Sequence, residues 1–143
     1  NAIHLQCYIN DYRLIDAEDS TINPDLFIHE RSMIDDMVFT TYMISKGEIT
    51  EAAGSKFLEL ATQRLIDNPP TKVIYLYSDP DITYSRLVSR GRSQESKQTL
   101  LTIAELEQAH LTILPIICED LGVELVELEW SDFGSISRVA NLI

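Results

Sequence analysis

Three arginines spaced to meet phosphate stand close together in this sequence, Arg86, Arg90 and Arg92, with Gly91 between the last two. Residues four apart share a helical face, and Gly91 lets the chain turn and aim Arg92 back at the same place. Each guanidinium offers a planar fork of donors matched to phosphate oxygens. The same residues also fit a plainer role, the C-terminus of a helix whose basic side chains complement the dipole. A second group, Glu30-Arg31-Ser32, follows directly on Leu26-Phe27-Ile28-His29. If that run is a strand of a parallel sheet, its carboxyl end borders the ligand crevice and the Glu-Arg pair is placed for function; otherwise the pair only closes the strand. A third group, Gln6, Asn10 and Arg13, is separated by four and three and so projects from one side of a helix. It is either a solvated face or an amide and a guanidinium two turns apart, and an amide both donates and accepts, as reading a nucleobase edge requires.

The elements that must carry these groups follow from periodicity and punctuation. The stretch Lys72 to Arg92, KVIYLYSDPDITYSRLVSRGR, organises the rest. Val73 to Tyr77 suits a strand buried on both faces, and Asp79-Pro80 starts a helix with Asp as N-cap and Pro at its first position. Upstream, residues 2 to 17 have helical spacing, and 26–29 reads as a short buried strand. Ser32 to Lys46 gives a helix with an apolar stripe of Met33, Met37, Val38, Thr41 and Tyr42, closed by Gly47. Its first turn holds Asp35 and Asp36, where acids suit the dipole. Thr50-Glu51 caps a helix to Asp67 with Phe57, Leu58, Leu60, Ala61, Leu65 and Ile66 inward, stopped by Asn68-Pro69-Pro70. After a polar loop, Ser93 to Lys97, a helix runs from Gln98 to Gly122, with Pro115 marking a kink or break and His110 on a helix face. Val123 to Trp130 alternates like a strand, and Ser131 caps a last helix beginning at Asp132-Phe133. Three strands joined by helical crossovers predict a parallel α/β sheet.

The bulk numbers agree with one globular domain. The 143 residues are 45% hydrophobic and 24% charged, enough for a real core. The net charge of -12 argues against a nucleic-acid polymer or an anionic membrane as partner, so any polyanion must meet a local basic patch, and Arg90-Gly91-Arg92 is that patch. Cys7 and Cys118 lie far apart without metal-ligand spacing and fit helix interiors, which points to a reducing cytoplasm. No apolar run approaches the roughly 20 residues of a membrane span, and no signal-peptide pattern is present.

Taken together, these motifs resemble the deoxynucleoside kinase family, in particular its deoxyadenosine, deoxyguanosine and deoxycytidine branch. The resemblance rests on Gln6 followed seven residues later by Arg13; on Glu30-Arg31-Ser32 with Asp36 six after the Glu; on Arg86, Arg90, Gly91 and Arg92 followed by Gln94-Glu95; and on Asp132-Phe133. It covers essentially the whole chain but begins about a third of the way into the family's sequence. It implies an ATP-dependent phosphotransferase acting on the 5'-hydroxyl of a purine deoxynucleoside in salvage. Gln6 would pair with the base, with Arg13 and Asp36 as an ion pair beside it. Arg31 would position the 5'-hydroxyl and the transferring phosphoryl, with Glu30 supporting the site and Mg²⁺. Arg90 and Arg92 would close over the phosphates, Arg86 would flank the ATP adenine beside Asp132-Phe133, and Glu95 would hold the sugar 3'-hydroxyl. Gln94 departs from the first acid usual in the lid. The family is usually a homodimer through its long helices, which implies the same here.

The larger departure is that no G-x-x-x-x-G-K-[ST] occurs in the sequence, so the backbone cradle for ATP phosphates is not among these residues. The expected fold is therefore an incomplete three-layer kinase-like parallel sheet, lacking the family's first two strands and mostly helical. Acceptor-site helices span 2–68, the strand and lid 72–97, and the C-terminal helices and strand 98–143. The opening Asn1, without an initiator Met, is read as the start of a fragment or processed product, and the 143 residues are expected not to phosphorylate alone. Two other readings compete: another nucleoside or nucleotide monophosphate kinase, against which Gln6, Arg13 and Asp36 argue, and a non-catalytic nucleoside-binding or dimerisation module that has lost the phosphate loop.

Overall fold

The computed structural model describes residues 28–95, 97–132, 134 and 136–143. Five helices and one parallel pair of strands are seen in chain order: α1 (Met33–Ser45), α2 (Glu51–Asp67), β1 (Lys72–Tyr77), α3 (Pro80–Arg90), a 3₁₀ turn (Ser93–Glu95), α4 (Leu100–Leu121), β2 (Glu124–Glu129) and α5 (Ile136–Ala140). Gln6, Arg13 and the helix expected over 2–17 lie outside the described residues, as do Leu26, Phe27 and Phe133.

Local chemistry sets the helix ends. The Ser32 hydroxyl accepts from the Ile34 N–H and opens α1. Thr50 accepts from the Ala53 N–H, Asp79 from the Asp81 N–H ahead of Pro80, and Thr99 from the Thr102 N–H. At the far end of α3, Gly91 takes φ 65°, a left-handed turn that a residue with a Cβ adopts at a cost, and it redirects the chain into the 3₁₀ turn.

β1 and β2 pair in parallel from Lys72↔Glu124 to Tyr77↔Glu129, with α3 and α4 in the crossover between them. The core lies where α1, α2 and α4 meet the sheet: Ile34, Met37 and Val38 from α1, Phe57, Ala61 and Leu65 from α2, Leu114, Ile117 and Cys118 from α4, and Val123 before β2. Helices α1 and α2 approach closely at Gly54, where a Cβ would stand 2.3 Å from the Ile44 Cδ1. The Glu105 carboxylate pins the end of α1 to α4, accepting from the Tyr42 hydroxyl at 3.0 Å and pairing with Lys46 Nζ at 2.6 Å.

The structure corrects several expectations. Only two strands occur among the described residues, and Ile28 and His29 belong to neither. β1 is half-buried rather than buried on both faces, with Leu76 exposed, and β2 is its only strand partner among the described residues. The buried face of α1 includes Ile34 and Thr40, while Thr41 and Tyr42 sit at its border. Leu60 and Ile66 of α2 face outward. α4 runs unbroken through Pro115. It is also long and apolar enough, by length and composition, to cross a membrane, which the expectation of no such run missed. One face of it, Leu114, Ile117 and Cys118, contributes to the core, and it packs against α1, α3 and β2. The last helix begins at Ile136, so Asp132 precedes it rather than opening it.

Candidate functional site

Three polar clusters bring the sequence-predicted residues together. The first lies at the entrance to α1. Arg31 holds φ 62°, the left-handed region that a non-glycine residue enters at a cost of roughly 1 kcal/mol or more. That turn separates Glu30 from the Ser32 cap and sends the Arg31 side chain back along α1. Its Nη1 meets the Asp35 Oδ2 at 3.3 Å, and its guanidinium lies 5.6 Å from the centre of the Phe39 ring. The Arg31 side chain is still 60% exposed, so its outer donors face solvent. Asp36, on the same first turn, is only 3% exposed.

The second cluster joins the end of α3 to the 3₁₀ turn. Arg90 closes α3 and engages Glu95 through two bonds, Nε to Oε2 at 3.2 Å and Nη2 to Oε1 at 2.7 Å. Arg92 Nη1 stands 3.7 Å from the same carboxylate. The residue whose resemblance-implied role is to hold a sugar hydroxyl thus holds Arg90 and Arg92 here. A surface pair of this kind is weak in water, so a phosphate can take over the guanidinium fork at little cost.

Arg86 forms the third cluster and does not share a target with Arg90. It donates from Nη1 to the Trp130 carbonyl at 3.0 Å and from Nη2 to the Ser131 carbonyl, tying α3 to the exit of β2. The Trp130 N–H in turn donates to the Tyr77 carbonyl at 2.6 Å. The tie brings Arg86 beside the segment that holds Asp132, which is exposed. Two of the Arg86 donors are thus engaged by the backbone carbonyls of the two residues before Asp132.

His110 is the polar residue that the sequence reading set aside as a helix-face residue. It is 9% exposed, stacked on Tyr75 with ring centres 5.4 Å apart and planes 4° apart, and edge-on to Phe39 at 5.5 Å. Nδ1 lies 2.8 Å from the Leu106 carbonyl and Nε2 lies 3.0 Å from the Asp35 Oδ1. Burial pushes its pKa down, but the Asp35 hydrogen bond, the Leu106 carbonyl and the charges of Asp35 and Glu107 outweigh burial and raise it above the usual value. A signal was available: counting by three and four from Leu106 reaches His110, Ile113, Leu114 and Ile117, the inward stripe of α4. Next to it, burial raises the Tyr75 phenol, aided by Glu107, and burial raises Glu107 in turn.

For ATP, the exposed guanidiniums of Arg90 and Arg92 are a donor set that fits phosphate oxygens. No group of three or more His, Cys, Asp or Glu stands together among the described residues to hold a metal by itself. Mg²⁺ bound through phosphates needs only one or two carboxylates, so Glu30 remains compatible with the role the resemblance implies.

Comparison with known proteins adds one finding to this geometry. A family model described as deoxynucleoside kinase matches residues 1–143. A comparison with curated proteins finds no match.

Proposed function

The chain belongs to the deoxynucleoside kinase family, whose members are ATP-dependent phosphotransferases, and from that premise we propose that it forms the acceptor site and lid of a purine deoxynucleoside kinase. In this reading Gln6 pairs with the base and Arg13 faces Asp36. The burial of Asp36 supports such a pairing, because a carboxylate this deeply buried needs a cationic or hydrogen-bonding partner.

ATP supplies the γ-phosphoryl group; the residues of this chain orient the acceptor and neutralise charge. Arg31 directs its exposed donors at the 5'-hydroxyl and the phosphoryl oxygens, Glu30 supports the same turn, and Arg90 and Arg92 leave Glu95 to meet the phosphates as charge develops. Glu95, once released, is free to accept from the sugar 3'-hydroxyl. Arg86 fixes the segment where Asp132 and Phe133 would border the adenine. The phosphate cradle and general base are not among these residues, so transfer needs both from outside them. The observation that carries the reading is Arg31, held in a left-handed turn at the mouth of α1 with its guanidinium braced and still open to solvent.

A homodimer and a cytoplasmic location belong to the same reading. Exposed Leu60 and Ile66 on α2 with Leu111 and Ile116 on α4 support the first, and the buried thiol of Cys118 supports the second. The test is steady-state kinetics of Arg31→Ala and Arg90→Ala in the intact kinase. Losses of roughly 10²-fold or more in kcat/KM are expected for each. Losses below about tenfold for both would remove the catalytic assignment and favour a binding or dimerisation module.

A further inference from the structure

We propose that His110 is a positioning residue for Arg31, acting as an imidazolium through Asp35 and through the Phe39 ring. The inference rests on the reading of Arg31 as the group that meets the transferring phosphoryl. It comes from an accounting of hydrogen-bond acceptors. Nδ1 faces the Leu106 carbonyl at 2.8 Å and Nε2 faces the Asp35 carboxylate at 3.0 Å. Neither of those oxygens can donate, so a neutral ring in either tautomer turns one lone pair on an oxygen, and only the doubly protonated ring satisfies both. The ring is sandwiched where it cannot turn away, flat on Tyr75 of β1 and edge-on to Phe39 of α1.

The link to Arg31 is equally direct. The guanidinium has two braces, the Asp35 Oδ2 and the Phe39 ring, and His110 touches both residues. With Nε2–H holding Oδ1, the carboxylate presents Oδ2 to Arg31 in one orientation. When His110 loses a proton, one of its two contacts sets a lone pair against an oxygen and the charge that draws the carboxylate is gone, so the ring's hold on Oδ1 weakens and Arg31, otherwise a surface side chain with many rotamers, is braced less firmly. The titratable and charged groups facing His110 are Asp35 from α1 and, behind it, Arg31 from the turn before α1; Tyr75 from β1; and Glu107 from α4 itself. Two carboxylates against one arginine favour the cationic ring.

His110 is raised above its ordinary value. Its contribution is therefore fully present below the ordinary histidine range and is lost as pH rises through the folded-state value. Acceptor-site activity should fall on the alkaline side of that value through loss of the brace.

Two measurements test the relay. The chain has three histidines, so His110→Gln assigns the His110 ring proton in an NMR titration. The expected midpoint for His110 lies above the ordinary histidine value and drops in Asp35→Asn; a midpoint that Asp35→Asn leaves unmoved overturns the proposal. In the intact kinase, kcat/KM for the deoxynucleoside is measured against pH for Arg31→Ala, His110→Gln and the double variant. The expectation is about a tenfold loss for His110→Gln, mostly in kcat, with its alkaline decline gone, and no further loss when it is added to Arg31→Ala. If Arg31→Ala itself changes little, the reading of Arg31 fails. If Arg31→Ala is severe and His110→Gln still lowers the double variant tenfold, the relay alone fails. Should His110→Gln not fold, Asp35→Asn, at the edge of the cluster, takes its place in the same cycle.

Discussion

Replacing Asp35 by Asn removes one negative charge from a site where two cations converge, and the cost can be worked from their burial. The His110 contact at 3.0 Å is made by a ring only 9% exposed, and a hydrogen bond to a charged group contributes about 1.5–3 kcal/mol. The Arg31 contact at 3.3 Å joins residues four apart, with the arginine 60% exposed; screening limits it to roughly 0.3–0.5 kcal/mol. An acid in the first turn of α1 adds about 0.3–1 kcal/mol through the helix dipole. Asn keeps an oxygen that can accept from His110 but without charge, so the net loss should be about 2 kcal/mol near pH 6. For a chain of this length that is a fall in Tm of about 7 °C. The pH dependence follows from the raised value of His110: its contribution is complete below about 6.5, the unfolded value, and disappears as pH climbs through the folded one. Thermal or urea unfolding of the wild type and Asp35→Asn at pH 6 and pH 9 reads this directly. The gap between them should shrink to about 1 kcal/mol or less at pH 9. A gap below about 0.5 kcal/mol at pH 6, or one that grows with pH, would refute the reasoning.

Other outcomes follow from the same structure. Phe57, buried among α1, α2 and α4, should cost about 3–5 kcal/mol when truncated to Ala, a large part of a typical domain's stability, visible as a lowered urea midpoint with an unchanged slope. Glu95→Gln should leave unfolding within about 0.5 kcal/mol of wild type, since the pairs it breaks are at the surface. The same variant should raise KM for a deoxynucleoside more than for its 3'-deoxy analogue, and equal effects on both would contradict a role for Glu95 at the sugar.

Most helix ends were legible because they are set by chemistry within a few residues, the start of α5 being the exception. Ser32, Thr50, Asp79-Pro80, Gly91 and Gly122 act where their side chains or their lack of one would place them. The parallel sense of the sheet was expected from apolar runs separated by helices, whereas which strands pair was not. What the sequence could not show depends on distant partners. Whether Val73 to Tyr77 is covered on both faces is decided by neighbouring elements, and Leu60 and Ile66 look like core residues in sequence although nothing among the described residues covers them. The lid arginines could be read as a group, but their targets could not: Arg86 and Arg90, one turn apart on α3, are drawn to the carbonyls of Trp130 and Ser131 in one case and to Glu95 in the other. The contact of His110 with Asp35 spans 75 residues, a separation that periodicity does not bridge.

The central claim, an acceptor site for purine deoxynucleosides, is tested most directly by kcat/KM of the intact kinase with ATP for deoxyadenosine, deoxyguanosine and thymidine. A site that hydrogen-bonds the purine edge through Gln6, backed by Arg13 and Asp36, leaves polar groups unpaired against thymine, so at least one purine deoxynucleoside should exceed thymidine by about 10²-fold or more. Thymidine within about tenfold of both purines, or no transfer to any of the three, would contradict it.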